Sequence, residues 1–224
     1  MHAILGLISR NKGFITFMLC MVVFRSAVAD WNVVPTGSMQ PTIRIGDRIM
    51  VDKAAYDLRL PLTHISLWHR SDPQRGDIVV LDSNKAGERL VKRVIGVPGD
   101  EIALLHNHLY VNGKQAAYLP DDVSGVRDDR EDPAAYAIEQ IGPVQHEVRW
   151  SLAAEGPSND FAAVKVPEGQ YLLLSDNRDN SADSRYYGFF PRNEIVGRAT
   201  RVALSLDPGN HYLPRRDRWG ISLH

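Results

Sequence analysis

The sequence predicts a mainly β protein preceded by an apolar N-terminal segment. Short runs rich in β-branched residues recur along the chain, each bounded by Gly, Pro or Asp, as is typical of strands. Few windows show a helical period, and Asn112-Gly113 is typical of a two-residue hairpin turn. Strands are therefore expected at 33–34, 43–51, 77–81, 89–97, 101–111, 170–174 and 195–206, with a short helix at 132–140.

The apolar N-terminal segment fits two interpretations. Its uninterrupted apolar stretch, 13–24, is shorter than the ~20 residues that a membrane-spanning helix needs. Arg10 and Lys12 precede this stretch, and residues 27–29 read Ala-Val-Ala, a small-x-small cleavage site, so a secretory signal is one interpretation. The other is a membrane anchor, and these residues alone leave the choice open.

The composition excludes several classes of protein. The 26 basic and 27 acidic residues nearly cancel, so no strong field favours nucleic acid. A single cysteine, Cys20, rules out an intrachain disulfide. No His and Glu spacing typical of a metal site occurs. We expect a monomer without metal or cofactor.

Four blocks with turn-forming or charged residues follow the apolar segment in order: 35–39 (PTGSM), 75–80 (RGDIVV), 90–100 (LVKRVIGVPGD) and 175–185 (SDNRDNSADSR). The first holds a serine, Ser38, in a Pro/Gly turn, and a serine hydroxyl needs a nearby base to act as a nucleophile. The histidines within the chain lie in turn or variable-looking segments and are expected at the surface: His64, His69, His106, His108, His146 and His211.

Taken together, the four blocks resemble the type I signal peptidases, membrane-anchored serine proteases that remove signal peptides. The resemblance extends from about residue 14 to residue 207, with a divergent middle. It implies a signal-peptidase-like antiparallel β catalytic domain with an inserted smaller β domain, preceded by one N-terminal transmembrane helix. The implied divisions are a cytoplasmic stub and anchor at 1–31, the catalytic domain at 32–117 and 168–224, and the insertion at 118–167. The alternative is that the inserted segment is one long solvated loop without a core of its own.

The resemblance assigns Ser38 as the nucleophile and Lys92 as the general base. A lysine can serve as a base when burial disfavours its ammonium form. Strand alternation places Leu90 and Val94 on the face of Lys92 and directs Arg93 to the other face as an outward charge.

Further residues around this dyad follow from the resemblance. The Ser38 N–H and the Thr36 hydroxyl would stabilise the oxyanion, and Ser181 would orient the lysine amine. Asp183 and Arg185 would form a supporting ion pair, with Asp179 in the same network. Ser175 stands where the family usually has glycine, so its hydroxymethyl group either adds a hydrogen bond or crowds the site.

The resemblance also implies cleavage after a small residue, with another small residue two positions earlier. The substrate would bind extended, as an added strand. Leu90 stands where many relatives have tyrosine, which affects the depth of the pocket. The pocket is expected to be formed by Val34, Pro35, Met39, Ile43, Leu90 and Val91.

The implied location is the inner (cytoplasmic) membrane, with one span over 14–31, the N-terminus inside and the catalytic domain on the periplasmic side. Arg25 would snorkel to the headgroups and Trp31 would lie at the outer interface. The implied partners are preprotein signal peptides and the lipid bilayer. A dedicated peptidase of conjugative pilus systems and an inactive β-rich binding module remain alternatives, as does self-cleavage after Ala29. The tail, 214–219, is expected to be a solvated terminus.

Overall fold

A computed structural model describes residues 10–63, 65–120, 133–152 and 160–223. Most of the regular structure is strand, which confirms the prediction of a mainly β protein. The elements are α1 (Lys12–Ala27), α2 (Ser184–Tyr187), β1 (Ala29–Val33), β2 (Asp47–Asp52), β3 (Asp57–Arg59), β4 (Ser66–His69), β5 (Ile78–Ser83), β6 (Glu88–Gly96), β7 (Glu101–Leu105), β8 (His108–Val111), β9 (Lys114–Gln115), β10 (Ala117–Pro120), β11 (Ala134–Ile141), β12 (Val144–Ser151), β13 (Phe161–Lys165), β14 (Gln170–Leu174), β15 (Phe190–Pro191), β16 (Ile195–Asp207) and β17 (Leu213–Pro214).

The largest sheet is antiparallel, in the order β1-β2-β16-β5-β6-β14-β15, and β17 pairs with β16. Successive side chains of its strands point alternately into two apolar cores, one on each face of the sheet, as the two-residue period of a strand requires. Val80 of β5 packs in one core with Ile49 and Val202, whereas Val79 packs in the other with Val94. This sheet therefore fixes the directions of the side chains on β6, including Lys92.

Smaller sheets cover the middle of the chain: β10-β11-β12, β13-β7-β8-β9 and β3-β4. Strand β13, which lies in the predicted insertion, pairs with β7, which precedes it. A shared core contains Ile102, Ile141, Val166 and Leu172 and so connects the first two of these sheets to β14 of the large sheet. The boundaries of the insertion at 118 and 167 stay a prediction.

Three local predictions are wrong and one is confirmed. The predicted strand 43–51 begins only at Asp47, because residues 43–46 belong to the loop before β2. The described part of the predicted helix is strand, because β11 pairs with β12 along its whole length. The predicted strand 101–111 is a hairpin, since His106 and Asn107 adopt positive φ angles of 52° and 61° and reverse the chain. Asn112 and Gly113, with φ of 52° and 74°, form the predicted turn between β8 and β9.

Helix α1 does not continue to residue 31 as the predicted span required. It ends at Ala27, and the chain then pairs with β2 as β1. Arg25 forms an ion pair with Asp30 at 2.7 Å and lies over the ring of Trp31, 4.3 Å from its centroid. In the described ranges, no helix has both the length and the apolar character needed to cross a bilayer. Cleavage after Ala29 would cut within β1.

The residues between β1 and β2 form a loop, called below the Ser38 loop (residues 34–46), whose two ends are hydrogen-bonded to each other. The Val34 N–H donates to Asp47 O at 2.9 Å, and the Gly46 N–H donates to Val34 O at 3.0 Å. Gly46 has a φ of 90°, and a Cβ there would lie 2.0 Å from Leu206 O. The loop therefore depends on glycine at this position for its approach to β16.

We expect Gly46→Ala to destabilise the protein more than Gly99→Ala, by about 1–3 kcal/mol. Gly99 is a matched control, because it also has a φ of 90° but nothing lies within 4 Å of a Cβ built on it. Both substitutions carry the backbone strain of positive φ, and only the first adds a clash with Leu206 O. Urea unfolding of both variants measures the difference. Equal stabilities would contradict the close approach.

Candidate active site

The Ser38 loop is held from below by buried groups. The Asp47 carboxylate accepts from the Arg44 N–H at 2.9 Å and forms an ion pair with Arg218 at 2.7 Å. Arg218 also donates to Thr42 O at 2.9 Å. The prediction of a solvated tail is therefore wrong at Arg218, which is buried, because the buried Asp47 charge needs a partner. The tail fixes the loop that carries Ser38.

A cavity of about 520 Å³ opens above this loop and β6. It brings together most of the predicted site: Val34, Pro35, Thr36, Ser38, Met39, Leu90, Val91, Lys92, Ser181 and Arg185. Ile43, predicted as a pocket residue, is fully buried in the core beneath the loop instead. Sequence reasoning missed Glu88, Arg89, Asn180, Ala182 and Tyr186 of the lining, although each lies within a few residues of a predicted position.

Lys92 is buried, with only 3% of its surface exposed. Its Nζ donates to Ser175 Oγ at 2.7 Å and to Ser181 Oγ at 2.8 Å, and the two hydroxyls also contact each other. Burial lowers the pKa of Lys92 to about 8. The negative charge of Asp183 raises this pKa and the positive charge of Arg185 lowers it, but burial has the largest effect. The hydroxymethyl group of Ser175 therefore adds a hydrogen bond to the amine.

Asp183 and Arg185 form a two-pronged ion pair beside the lysine. Arg185 Nε and Nη2 lie 2.9 and 2.8 Å from the two carboxylate oxygens of Asp183. Asp183 also accepts from the Ser175 N–H at 3.0 Å and caps helix α2 through the Arg185 N–H. Asp179 lies outside this pair, and its carboxylate accepts from the Ser151 N–H of β12 at 2.9 Å. The ion pair thus positions the backbone at Ser175.

Arg93 points away from Lys92, as strand alternation predicts, but the prediction that it faces outward is wrong. The opposite face of β6 is covered, and Arg93 is fully buried. Its Nε and Nη2 both lie 2.8 Å from the carboxylate of Asp176, and its Nη1 donates to Gly76 O. Burial opposes ionisation of Asp176, but Arg93 outweighs it and lowers the pKa of the carboxyl. Two charges therefore lie directly behind Lys92.

A further buried cluster joins β10–β12 to the segment 175–185. Glu139 accepts from Tyr118 Oη at 2.7 Å, forms an ion pair with Arg178, and lies 3.1 Å from His146 Nε2. Burial opposes ionisation of Glu139, yet Arg178 and His146 outweigh it and lower its pKa below the usual range. Burial and the charge of Arg93 lower the pKa of His146.

The prediction that His146 lies at the surface is wrong, because it is 6% exposed. One signal was available in the sequence. Glu139 and His146 lie at equal distances from the turn at Gly142-Pro143, and a hairpin register places them opposite each other, as observed. His64 lies outside the described residues. Among the residues that the structure describes, no cluster of three or more His, Cys, Asp or Glu could hold a metal ion.

Comparisons with known proteins identify a family and several relatives of this chain. The family model described as "Signal peptidase, peptidase S26" matches residues 8–204. Signal peptidase I of Pseudomonas fluorescens is 33% identical over 228 residues, which cover 96% of this chain and 79% of the relative. Signal peptidase I of Rickettsia typhi is 32% identical over 213 residues, with coverages of 85% and 78%. A crystal structure of signal peptidase I from Enterococcus faecalis covers 58% of this chain and 98% of its own, at 29% identity and a TM-score of 0.36.

The family match extends over most of the chain, from the N-terminal segment to β16. It includes the Ser38 loop, strand β6 and the segment 175–185. The chain therefore belongs to the signal peptidase family, peptidase S26, and is a serine protease.

Proposed function

We propose that this protein removes signal peptides from exported preproteins by cleaving after small-x-small sites, with Ser38 as the nucleophile and Lys92 as the general base. The observation that carries the proposal is the buried Lys92 amine, whose pKa is lowered to about 8. Ser38 lines the same cavity. A base with this pKa is partly neutral near pH 7 and can accept a proton.

The proposed reaction proceeds in two stages. Neutral Lys92 takes the proton of the Ser38 hydroxyl as its oxygen attacks the scissile carbonyl carbon, and the Ser38 N–H and Thr36 hydroxyl stabilise the oxyanion. Protonated Lys92 then gives its proton to the leaving amine as the peptide bond breaks. A water molecule activated by Lys92 hydrolyses the acyl-enzyme and restores Ser38.

The neighbours of Lys92 have distinct proposed roles. Ser175 and Ser181 each accept a hydrogen bond from the amine and would orient it toward Ser38. Asp183, paired with Arg185, holds the backbone at Ser175. An amine with few free rotations loses little entropy when it reaches the reactive geometry.

We propose that substrate specificity comes from the apolar wall of the cavity. Side chains from the Ser38 loop and from β6 fill this wall from two sides and so support a preference for small substrate side chains. They are Val34, Pro35, Met39, Leu90 and Val91. The first residues of β6, 88–92, also line the cavity, and an extended substrate could pair with them as an added strand.

The N-terminal segment supports a proposed location at the membrane. Helix α1 exposes large apolar side chains, among them Phe14, Phe17, Leu19 and Phe24. We propose that residues 1–31 hold the catalytic domain at the outer face of the cytoplasmic membrane, with Arg10 and Lys12 on the inner side.

We expect wild-type protein to cleave a preprotein with an Ala-x-Ala site, and Ser38→Ala and Lys92→Arg to lose this activity. A guanidinium stays protonated, so Lys92→Arg keeps the charge but removes the base, at a cost of about 10²–10⁴-fold in kcat. The measurement is product formation by full-length protein extracted with detergent from alkali-washed membranes. Recovery of the protein in that fraction tests the anchor at the same time.

Thermal unfolding of each variant serves as the folding control for this assay. Near-normal turnover by Lys92→Arg would exclude Lys92 as the base. Folded wild-type protein that cleaves no Ala-x-Ala preprotein would contradict the proposed substrate class and favour a dedicated pilus-type substrate or an inactive binding module.

Because the hydroxyls of Ser175 and Ser181 both accept a hydrogen bond from Lys92 Nζ, we expect either hydroxyl to hold the amine when the other is removed. We expect Ser181→Ala and Ser175→Gly each to lower kcat by about 10-fold or less, the effect of a single lost hydrogen bond, because one acceptor still holds the amine. The double variant should lose more than the product of the two single effects, since groups that share a partner are coupled. Strictly multiplicative losses in kcat would show that the serines act independently.

A further inference from the structure

Asn177 is completely buried beneath the Ser38 loop, next to strand β12. Its Nδ2 donates to Gly37 O at 3.0 Å, and its backbone N–H donates to Ser38 O at 3.0 Å. On its other side, Arg149 Nη1 donates to Asn177 Oδ1 at 3.4 Å. Each end of the amide faces a partner of the opposite kind, so the amide has one favourable orientation.

Gly37 O accepts two hydrogen bonds, one from Asn177 Nδ2 and one from the Gln40 N–H at 3.1 Å, and together they fix the peptide unit that joins Gly37 to Ser38. A trans peptide is planar, and its C=O and N–H point in opposite directions. Holding Gly37 O toward Asn177 therefore turns the Ser38 N–H away from Asn177. Ser38 lines the cavity, and no described residue accepts a hydrogen bond from its N–H. That N–H is available to a substrate oxygen.

We propose that Asn177 is a positioning residue that aims the Ser38 N–H at the oxyanion of the tetrahedral intermediate, and that Arg149 orients the Asn177 amide. This inference rests on the proposed function and adds to it a residue that does not touch the substrate. A donor fixed in advance stabilises developing charge without reorganisation. Through Arg149, strand β12 and its sheet contribute to the geometry of the oxyanion site.

A purely structural role for Asn177 would be to join the Ser38 loop to the segment 175–185. Thr42 provides the matched control for that role. Its Oγ1 donates to Asp176 Oδ2 at 2.6 Å and so joins the same two segments. Thr42 makes no contact with the Gly37–Ser38 peptide among its described hydrogen bonds. Removal of the Thr42 hydrogen bond thus measures how much activity is lost when a connection between these two segments is broken without any change at the Gly37–Ser38 peptide.

The test compares Asn177→Asp with Thr42→Val in the full-length protein on the Ala-x-Ala preprotein. The first substitution keeps the size of the side chain but replaces the amide donor with an oxygen that faces Gly37 O. We expect kcat to fall by about 10- to 100-fold for Asn177→Asp, with KM and the pH midpoint of kcat unchanged. Thr42→Val should stay within about 3-fold of wild type, as expected for a single lost hydrogen bond away from the reacting atoms.

Three outcomes would overturn this role: wild-type kcat in Asn177→Asp, an equal loss in Thr42→Val, or a shifted pH midpoint, which would mean that Lys92 had been disturbed. If Asn177→Asp does not fold, Asn177→Ala removes the donor without adding charge and is judged by the same criteria. Cleavage that persists in Ser38→Ala would overturn the proposed function itself. Cleavage lost in Ser38→Ala but kept in Asn177→Asp overturns the role of Asn177 alone.

Discussion

Burying a lysine amine is unfavourable unless its protons find partners, and the site is organised around this constraint at Lys92. Two hydroxyls, those of Ser175 and Ser181, accept from Nζ, while no carboxylate among the described residues forms an ion pair with it. The acidic group with the largest effect on the pKa of Lys92, Asp183, is itself paired with Arg185. The amine is therefore solvated by neutral oxygens, which leaves burial as the main influence on its pKa.

The segment 175–185 connects this amine to the rest of the molecule. One side of it carries the hydroxyls that contact Lys92, and the other is held by buried charges from β6 and from β10–β12. Asn177 also joins it to the backbone of the Ser38 loop. Ion pairs of this kind favour geometric specificity more than stability. The buried charges behind β6 thus serve the placement of the amine and of Ser38.

The parts of the structure that could be predicted are those set by local pattern. Strand alternation predicts that Lys92 and Arg93 point to opposite faces, and the turn chemistry of Asn112-Gly113 predicts the hairpin that is observed. Burial of Arg93 and Arg218 could not be predicted, because it depends on segments that are distant in sequence and cover them. The end of α1 at Ala27 likewise depends on the pairing of β1 with β2.

The most direct measurement is the titration of the Lys92 amine by NMR in labelled, folded Ser38→Ala protein, with the signal assigned by its absence in a Lys92→Met variant. Because burial lowers this pKa, the neutral amine should increase as the pH rises through a midpoint near 8. A midpoint near the ordinary lysine value of about 10.4 would contradict the claim that Lys92 is held in a form able to act as the base.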